Sequence, residues 1–338
     1  MTRPFNRIGV IGGGAWGTAL AAVAAAAGRR VSLWAREAEV VARINETHEN
    51  DLFLPGTALP EGIVADGDPG AVAAAAEVLL LVAPAQFLGA VCREIAPHVG
   101  PGMPLVICAK GIEQRTGRLM SEVVAAALPG RPLAVLSGPT FAREVAAGLP
   151  TAVTLASADQ ALGAQLVETV GLPTFRPYQG NDVIGTQIGG AVKNVLAIAC
   201  GIVEGRALGA NARAALISRG LAEMLRFGLT KGARGETLMG LSGLGDLVLT
   251  CTDRQSRNYS LGVEIGQGRT LDEILKERRS VAEGVTTALA LKHVAAELEI
   301  EMPLSAAVHA VLHEGAAVED AIQGLLARPF RHEDATGG

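Results

Sequence analysis

The chain is predicted to be an α/β protein, with a doubly wound, mainly parallel sheet in its N-terminal part and an all-helical region after it. Three observations carry that expectation. A glycine-rich turn, Gly12-Gly13-Gly14-Ala15-Trp16-Gly17, joins a short β-type run to a strong helix former. Strand-like and helical runs then alternate as far as Gly180. Beyond Gly180-Asn181 the β signals nearly vanish and helical segments follow one another.

In chain order, Arg7 to Ile11 carries isoleucine and valine suited to a strand, and Ala15 to Ala27 is alanine-rich and favours helix, because alanine loses no side-chain freedom there. Arg30 to Trp34 forms the second strand and completes a βαβ opening. Further strands are expected at Val78 to Val82, Leu105 to Cys108, Ala134 to Leu136 and Ala152 to Leu155, with helices near Phe87 to Ala96 and Leu119 to Leu128. Such alternation implies parallel pairing with helices on both faces. Asp182 opens the helical part, at about 182–203, 211–231, 258–266, 271–278, 284–298, 304–312 and 318–327. The expected domains are 1–181, dinucleotide-binding, and 182–331, helical and substrate-binding, with a flexible polar tail at 332–338.

The 338 residues suffice for two domains, each burying its own core without a disulfide or structural metal. With 49% apolar and 19% charged residues, the chain leaves little room for long disorder. Aromatic residues make up only 3%, too few for the stacking platforms of single-stranded nucleic-acid binders. At a net charge of −5, binding to nucleic acid or an anionic membrane would need a strong basic patch. Lys276-Glu277-Arg278-Arg279 is short and interrupted, and reads as a solvated helix end.

Cys92, Cys108, Cys200 and Cys251 are scattered in apolar surroundings with no C-x-x-C pair, which reads as reduced core thiols in a cytoplasmic protein. His309 and His313 share a helix face but lack the Glu of H-E-x-x-H, so no metal site is expected. Arg3 and Arg7 before an alanine-rich stretch imitate a signal peptide. Cleavage near Gly28 would destroy the glycine turn, and the segment is read as retained. The longest apolar run, Val183 to Val203, carries Gln187, Lys193 and Asn194. A mid-bilayer lysine costs roughly 2.5–3.5 kcal/mol even on lenient scales, so this run is read as a helix buried in protein, and no integral membrane segment is expected.

The turn at Gly12 to Gly17 has the spacing G-x-G-x-x-G directly after a strand and opening a helix, the setting in which a Rossmann-type fold binds a dinucleotide. Gly12 permits the tight turn, Gly14 lets the backbone approach the pyrophosphate, and Gly17 lets the helix pack on the strand. Free N–H groups at the helix start meet the anion. A glycine-rich packing turn without a ligand is the competing reading. Where the second strand ends, an acid would accept from the adenosine ribose 2′-hydroxyl, but Arg36 stands there and suits a 2′-phosphate. NADP(H) is therefore expected to serve at least as well as NAD(H), against an ordinary surface arginine; Glu37 and Glu39 leave the choice open.

Lys110 follows the strand ending at Cys108, at the carboxyl edge where open α/β sheets bind ligands, and Ser137-Gly138-Pro139-Thr140 follows the next strand in the same way. A plain loop charge is the alternative for Lys110. Lys193 interrupts an otherwise apolar helix, with Gly185 and Gly189 on its own face at spacings of eight and four, which leaves that face open to a ligand or to another backbone. Burial lowers a lysine pKa, and such a lysine can exchange a proton near neutral pH. A structural lysine paired with a carboxylate is the alternative. Asp246, alone in Gly243-Leu244-Gly245-Asp246-Leu247, is a candidate for the charge that tunes Lys193, or else a helix cap. Ser256-Arg257-Asn258 starts a helix and combines a hydroxyl, helix N–H groups and an arginine fork, a good phosphate cradle.

Together the blocks GGGAWGTAL (Gly12 to Leu20), AKGIE (Ala109 to Glu113), SGPTFAREV (Ser137 to Val145), GGAVKN (Gly189 to Asn194), LSGLGDLVL (Leu241 to Leu249), SRNY (Ser256 to Tyr259) and VAEGVTTA (Val281 to Ala288) resemble the bacterial NAD(P)-dependent glycerol-3-phosphate dehydrogenases. The resemblance implies a Rossmann-type domain, an all-helical domain similar to that of 6-phosphogluconate dehydrogenase, and a homodimer. By position it implies cofactor contacts at Ala15, Trp16, Arg36, Ala142, Arg257, Val281 and Glu283. Lys110 would be shared by cofactor and substrate. Substrate contacts would be Gly138, Thr140, Asp246, Ser256, Arg257 and Asn258, and Lys193 the general acid/base, also touching substrate. Thr140 departs from the family's usual Ser but keeps the hydroxyl. The implied reaction is hydride transfer from NADPH or NADH to C2 of dihydroxyacetone phosphate, feeding glycerophospholipid synthesis. Two competing readings are a dehydrogenase of a related hydroxyacid or polyol phosphate, and a non-catalytic dinucleotide sensor, which would need neither a buried Lys193 nor the Ser256 cluster.

Overall fold

Side chains along the first strand, β1 (Arg7–Ile11), are buried from Ile8 onward and alternate in face, Ile8 and Val10 entering one core and Ile11 another. That is the period of two expected of a strand covered on both faces. The computed structural model describes residues 3–278 and 281–329; Arg279 of the basic run and the expected tail at 332–338 lie outside the described residues. The remaining strands are β2 (Arg30–Trp34), β3 (Ile63–Asp66), β4 (Val78–Leu81), β5 (Leu105–Ile107), β6 (Leu133–Ser137), β7 (Thr151–Ser157) and β8 (Phe175–Gly180). They form one sheet in the order β3-β2-β1-β4-β5-β6-β7-β8. The first six pair in parallel, β7 runs antiparallel to β6, and β8 runs parallel to β7.

The helices of this part are α1 (Ala15–Ala26), α2 (Ala38–Thr47), α3 (Pro69–Ala75), α4 (Ala85–Ile95), α5 (Met120–Ala127), α6 (Ala142–Ala146) and α7 (Gln160–Val170). Ala19 to Ala24 of α1 join Ile44 of α2, Val145 of α6 and Leu166 of α7 in the core of one face. Val72 of α3, Leu88 and Ile95 of α4 and Val124 of α5 fill the other. The strand order places the crevice for a ligand where β1 and β4 diverge, beyond their carboxyl ends. An open groove of about 830 Å³ lined by Arg7, Glu77, Pro104 and Pro132 lies at the opposite end of the strands and holds none of the expected site residues.

The sequence reading missed β3 and β8. In β3 only Ile63 and Ala65 are buried, and β8 is an edge strand containing Pro177, a residue that weakens any strand signal because it cannot donate to a ladder. It also missed the helices α2, α3, α6 and α7, of which α3 and α6 are short, at seven and five residues.

The second part is α8 (Val183–Gly205), α9 (Gly209–Thr230), α10 (Gly235–Leu238), a π-helical turn at Leu241–Gly245, then α11 (Asp246–Thr252), α12 (Arg257–Gly266), α13 (Leu271–Glu277), α14 (Glu283–Glu297), α15 (Pro303–His313) and α16 (Val318–Leu326). The stretch from α10 to α11 carries no helix in the sequence reading, because glycines interrupt it. Two compact units result, one reaching Lys110 and resuming over Arg118–Thr186, the other made of Gly111–Gly117 and everything from Gln187 onward. The change of unit thus falls inside α8, a few residues after the expected change at 181, and Gly111–Gly117 belongs with the helices. Gly117 shows why: at φ +67°, an added Cβ would stand 2.4 Å from Cγ2 of Val294 on α14.

Among the described residues α8 is the one helix long and apolar enough to cross a membrane, and most of it is buried inside the protein. Its glycines let other backbones close in. Gly201 and Gly205 lie against Gly262 and Gly266 of α12, where a Cβ on Gly201 would stand 2.1 Å from the carbonyl oxygen of Tyr259.

Candidate active site

The glycine turn has the geometry its residues require. Gly12 adopts φ +132°, and a Cβ there would stand 2.9 Å from the backbone of Val82 and Ala83, so only glycine fits both the conformation and the space. A Cβ on Gly17 would fall 1.8 Å from the Gly12 oxygen, while at Gly14 nothing lies within 4 Å. The open glycine is therefore the second of the motif, the one that must let a pyrophosphate approach. Gly14 is also the N-cap of α1, with no side chain capping the helix and no acid in its first turn. That leaves first-turn N–H groups for an anion, and the turn fits a dinucleotide on geometry alone. Asn50 fixes it from afar, donating to the Gly13 oxygen at 2.9 Å and to Thr18 Oγ1 at 2.7 Å and accepting from Phe53 N. Sequence reasoning missed Asn50, because an asparagine 37 residues from its partner carries no local signal.

Lys110 and the Gly138 loop meet. The Lys110 ammonium donates to the Gly138 carbonyl at 3.0 Å and to Thr140 Oγ1 at 3.3 Å, tying together the loops after β5 and β6. Gly138 sits at φ +152° with Val153 Cα 2.9 Å from where a Cβ would stand. Ala142 starts α6 against the α1 core. Trp16 packs on that core as well. Phe87, at the start of α4 beyond the carboxyl end of β4, is 56% exposed, an aromatic surface the sequence reading did not single out.

In the helical unit, Lys193 is 5% exposed and Asp246 fully buried. The Lys193 ammonium donates to Asp246 Oδ1 and, at 2.8 Å, to Thr250 Oγ1; Thr250 in turn donates to Asp246 Oδ1 at 3.3 Å. A buried charge pair is tolerable when it is this well bonded. Lys193 thus has the carboxylate partner of its structural reading. Thr250 was missed, although its place four residues after Asp246, on the same face of α11, could have flagged it. The open face at Gly189 is taken by backbone: a Cβ there would stand 2.2 Å from the Ser242 carbonyl oxygen in the π-helical turn. Asp246 follows that turn directly as the first residue of α11, whose N-cap position is held by Gly245.

The cluster at the start of α12 divides its labour. Ser256 is the N-cap, accepting from Tyr259 N at 3.2 Å. Asn258 donates to Asn194 Oδ1 at 3.0 Å and accepts from Gly284 N at 2.9 Å, so its side chain joins α8, α12 and α14. Arg257 keeps an open surface. Desolvation by the protein around it lowers its guanidinium pKa and the Glu283 carboxylate opposes this, but a guanidinium stays charged throughout. Val281 is 42% exposed just before Glu283.

Lys276 and Glu277 are exposed at the end of α13, as expected of a solvated helix end, and Arg278 departs from that reading. It pairs with Glu264 and donates to the Arg257 carbonyl at 2.9 Å, holding the start of α12. The rings of His309 and His313 on α15 lie 5.3 Å apart, tilted by 45°, and no group of three metal-binding side chains exists among the described residues. All four cysteines are free and buried; burial pushes the Cys92 thiol up to about 12 and raises Cys108 and Cys251 as well, which makes these thiols unreactive.

Two family models match the chain, one described as the NAD-dependent glycerol-3-phosphate dehydrogenase N-terminus over residues 7–163 and one as its C-terminus over residues 182–323. A curated relative from Rhodospirillum rubrum, named glycerol-3-phosphate dehydrogenase [NAD(P)+], is 61% identical over 333 residues, 98% of this chain and 95% of its own. Another of the same name from Parvibaculum lavamentivorans is 56% identical over 98% of this chain and the whole of its own. Among solved structures, the glycerol-3-phosphate dehydrogenase of Coxiella burnetii superposes with a TM-score of 0.92 at 42% identity, covering 96% of this chain and 99% of that one. A ketopantoate reductase from Ralstonia eutropha, at 15% identity and a TM-score of 0.57, shares the fold alone.

Proposed function

The chain belongs to the NAD-dependent glycerol-3-phosphate dehydrogenase family, and from that premise we propose that Lys193, Asp246 and Lys110 carry its chemistry. It is an NAD(P)-dependent oxidoreductase that interconverts dihydroxyacetone phosphate and sn-glycerol 3-phosphate. The observation that carries the residue assignment is the buried ammonium of Lys193 held by Asp246 and Thr250.

The dinucleotide is held by Gly12, Gly14, Ala15, Trp16 and Gly17, with Arg36, Lys110, Ala142, Arg257, Val281 and Glu283 as further contacts. When bound, its nicotinamide supplies the hydride for C2 of the ketone, or takes it from C2 of the alcohol. Lys193 gives its proton to the C2 oxygen in reduction and recovers one in oxidation. Asp246 and Thr250 fix the direction of Nζ, and Asp246 balances its charge so that the buried site holds a neutral pair. Lys110, steadied by Gly138 and Thr140, holds the substrate oxygens. Arg257 takes the phosphate with its fork, beside the Ser256 hydroxyl and Asn258. The Asn258 side chain is held in place by Asn194 and Gly284, with a second amide hydrogen left to donate.

The same proposal includes a dinucleotide-binding domain over 1–181 and a substrate domain over 182–331, a homodimer, cytoplasmic residence and supply of glycerophospholipid synthesis. Four buried free thiols support a reducing compartment. The test is the loss of reduced-cofactor absorbance with dihydroxyacetone phosphate against ketopantoate. Turnover should favour the phosphate ester by orders of magnitude, and comparable rates would reject the substrate assignment.

A further inference from the structure

Just past β2 stands a charge pair that the hydride and proton transfers do not use. Arg36 and Glu37 are sequence neighbours; the arginine side chain is 79% exposed and the glutamate 27%. Arg36 Nη2 and Nε both donate to one carboxylate oxygen, Oε1 of Glu37, at 2.9 and 3.2 Å. Glu37 occupies the N-cap position of α2 with an extended backbone, φ −81° and ψ 115°, yet its carboxylate caps no helix N–H. An acid at that place gains by turning to the positive end of the helix. Here it turns to the arginine instead.

Both residues lie beside the glycine turn. Gly12 N donates to the Trp34 carbonyl at 3.3 Å, and a Cβ on Gly13 would stand 2.5 Å from Ala35 Cβ, so the backbone leading into Arg36 touches the turn itself. An acid at the end of the second strand accepts from the adenosine ribose 2′-hydroxyl, and an arginine there neutralises a 2′-phosphate. This chain carries one of each, bonded together.

We propose that Arg36 and Glu37 form a selector for the adenosine ribose, in which Glu37 sets the cofactor preference by competing with a 2′-phosphate for the Arg36 guanidinium. The selector rests on the dinucleotide reading of the glycine turn. With a 2′-phosphate bound, Arg36 leaves Glu37 and forks onto two phosphate oxygens, and the freed carboxylate remains beside an anion. With a 2′-hydroxyl bound, the hydroxyl donates to Glu37 and Arg36 stays paired. An exposed ion pair costs little to open, so the chain takes both cofactors with a modest bias.

The experiment titrates the full chain and its Glu37→Gln, Arg36→Ala and doubly substituted variants with NADPH and with NADH by nucleotide fluorescence. The ratio of kcat/KM for the two cofactors is measured alongside, with dihydroxyacetone phosphate as substrate. Glu37→Gln should raise the NADPH-over-NADH ratio about tenfold, through Kd and KM, and Arg36→Ala should lower it by a similar factor. In the Arg36→Ala background the effect of Glu37→Gln should be smaller, because the part that acts through the guanidinium is gone while the carboxylate's own dealings with the 2′-group remain. Both cofactors binding with a ratio unmoved by Glu37→Gln would overturn the selector, as would an equal effect with and without Arg36. Failure of the unsubstituted chain to bind either nucleotide would overturn the dinucleotide reading and the selector with it.

Discussion

Gly189 on α8 meets the carbonyl of Ser242 so closely that an added Cβ would stand 2.2 Å from that oxygen. Lys193 is one turn further along α8 and Asp246 one turn beyond Ser242, so this contact registers the acid against its partner. Gly189→Ala should cost about 1–3 kcal/mol of stability by overpacking. It should also lower kcat on the order of tenfold to a hundredfold, because a small displacement of a reacting group is amplified in rate. Thermal melts and steady-state kinetics check both, and a variant stable and active as the original would show that the turn yields freely.

Lys193→Met should reduce kcat by about 10²–10⁴-fold while leaving nucleotide binding intact, since it removes a general acid and no cofactor contact. Asp246→Asn removes the charge that favours the ammonium form, so the lysine loses its proton at lower pH. The protonated lysine is the active form in ketone reduction, and the alkaline limb of kcat should move to lower pH. Thr250→Val keeps the carboxylate and should move it less. An unmoved limb in Asp246→Asn would remove Asp246 from the acid's control.

Arg257→Ala should raise KM for dihydroxyacetone phosphate at least about tenfold and cost unphosphorylated dihydroxyacetone, which shares the cofactor but lacks the phosphate, several-fold less. Equal losses on both substrates would make Arg257 a packing residue between Arg278 and Glu283.

Glu223 on α9 is a buried carboxylate that accepts from Leu304 N, Ser305 N and the Ser305 hydroxyl at the start of α15. Burial pushes its carboxyl above the ordinary range, against the opposing pull of those donors and of Arg226. The native state therefore holds this proton more tightly than the unfolded chain. Its contribution to stability is complete below the unfolded carboxylate pKa and is lost as pH rises through the folded one. Glu223→Gln should cost about 1–3 kcal/mol in acid, where a buried donor loses its acceptor, and the gap to the unsubstituted protein should narrow as pH rises. Denaturant melts across the acid range measure this gap, and a gap that widens with pH would reverse the sign.

What the residues disclosed unaided is what short stretches control. The strand, turn and helix at Gly12 to Gly17 follow from three glycines at the spacing a tight strand-to-helix turn demands, and one lysine in an apolar helix is conspicuous wherever the chain goes. The parallel strands from β1 to β6 were legible for the same reason, except β3, which is half exposed and only four residues long. Tertiary structure alone decided the partners. Whether Gly189 faces a ligand or a backbone, whether Lys193 finds Asp246 and Thr250 across 53 and 57 residues, and whether Asn50 reaches Gly13 all depend on how the chain closes on itself. Long-range closure is set by the summed packing of whole elements rather than by any local preference, so two residues that are each visible in a sequence become a pair only in the folded chain.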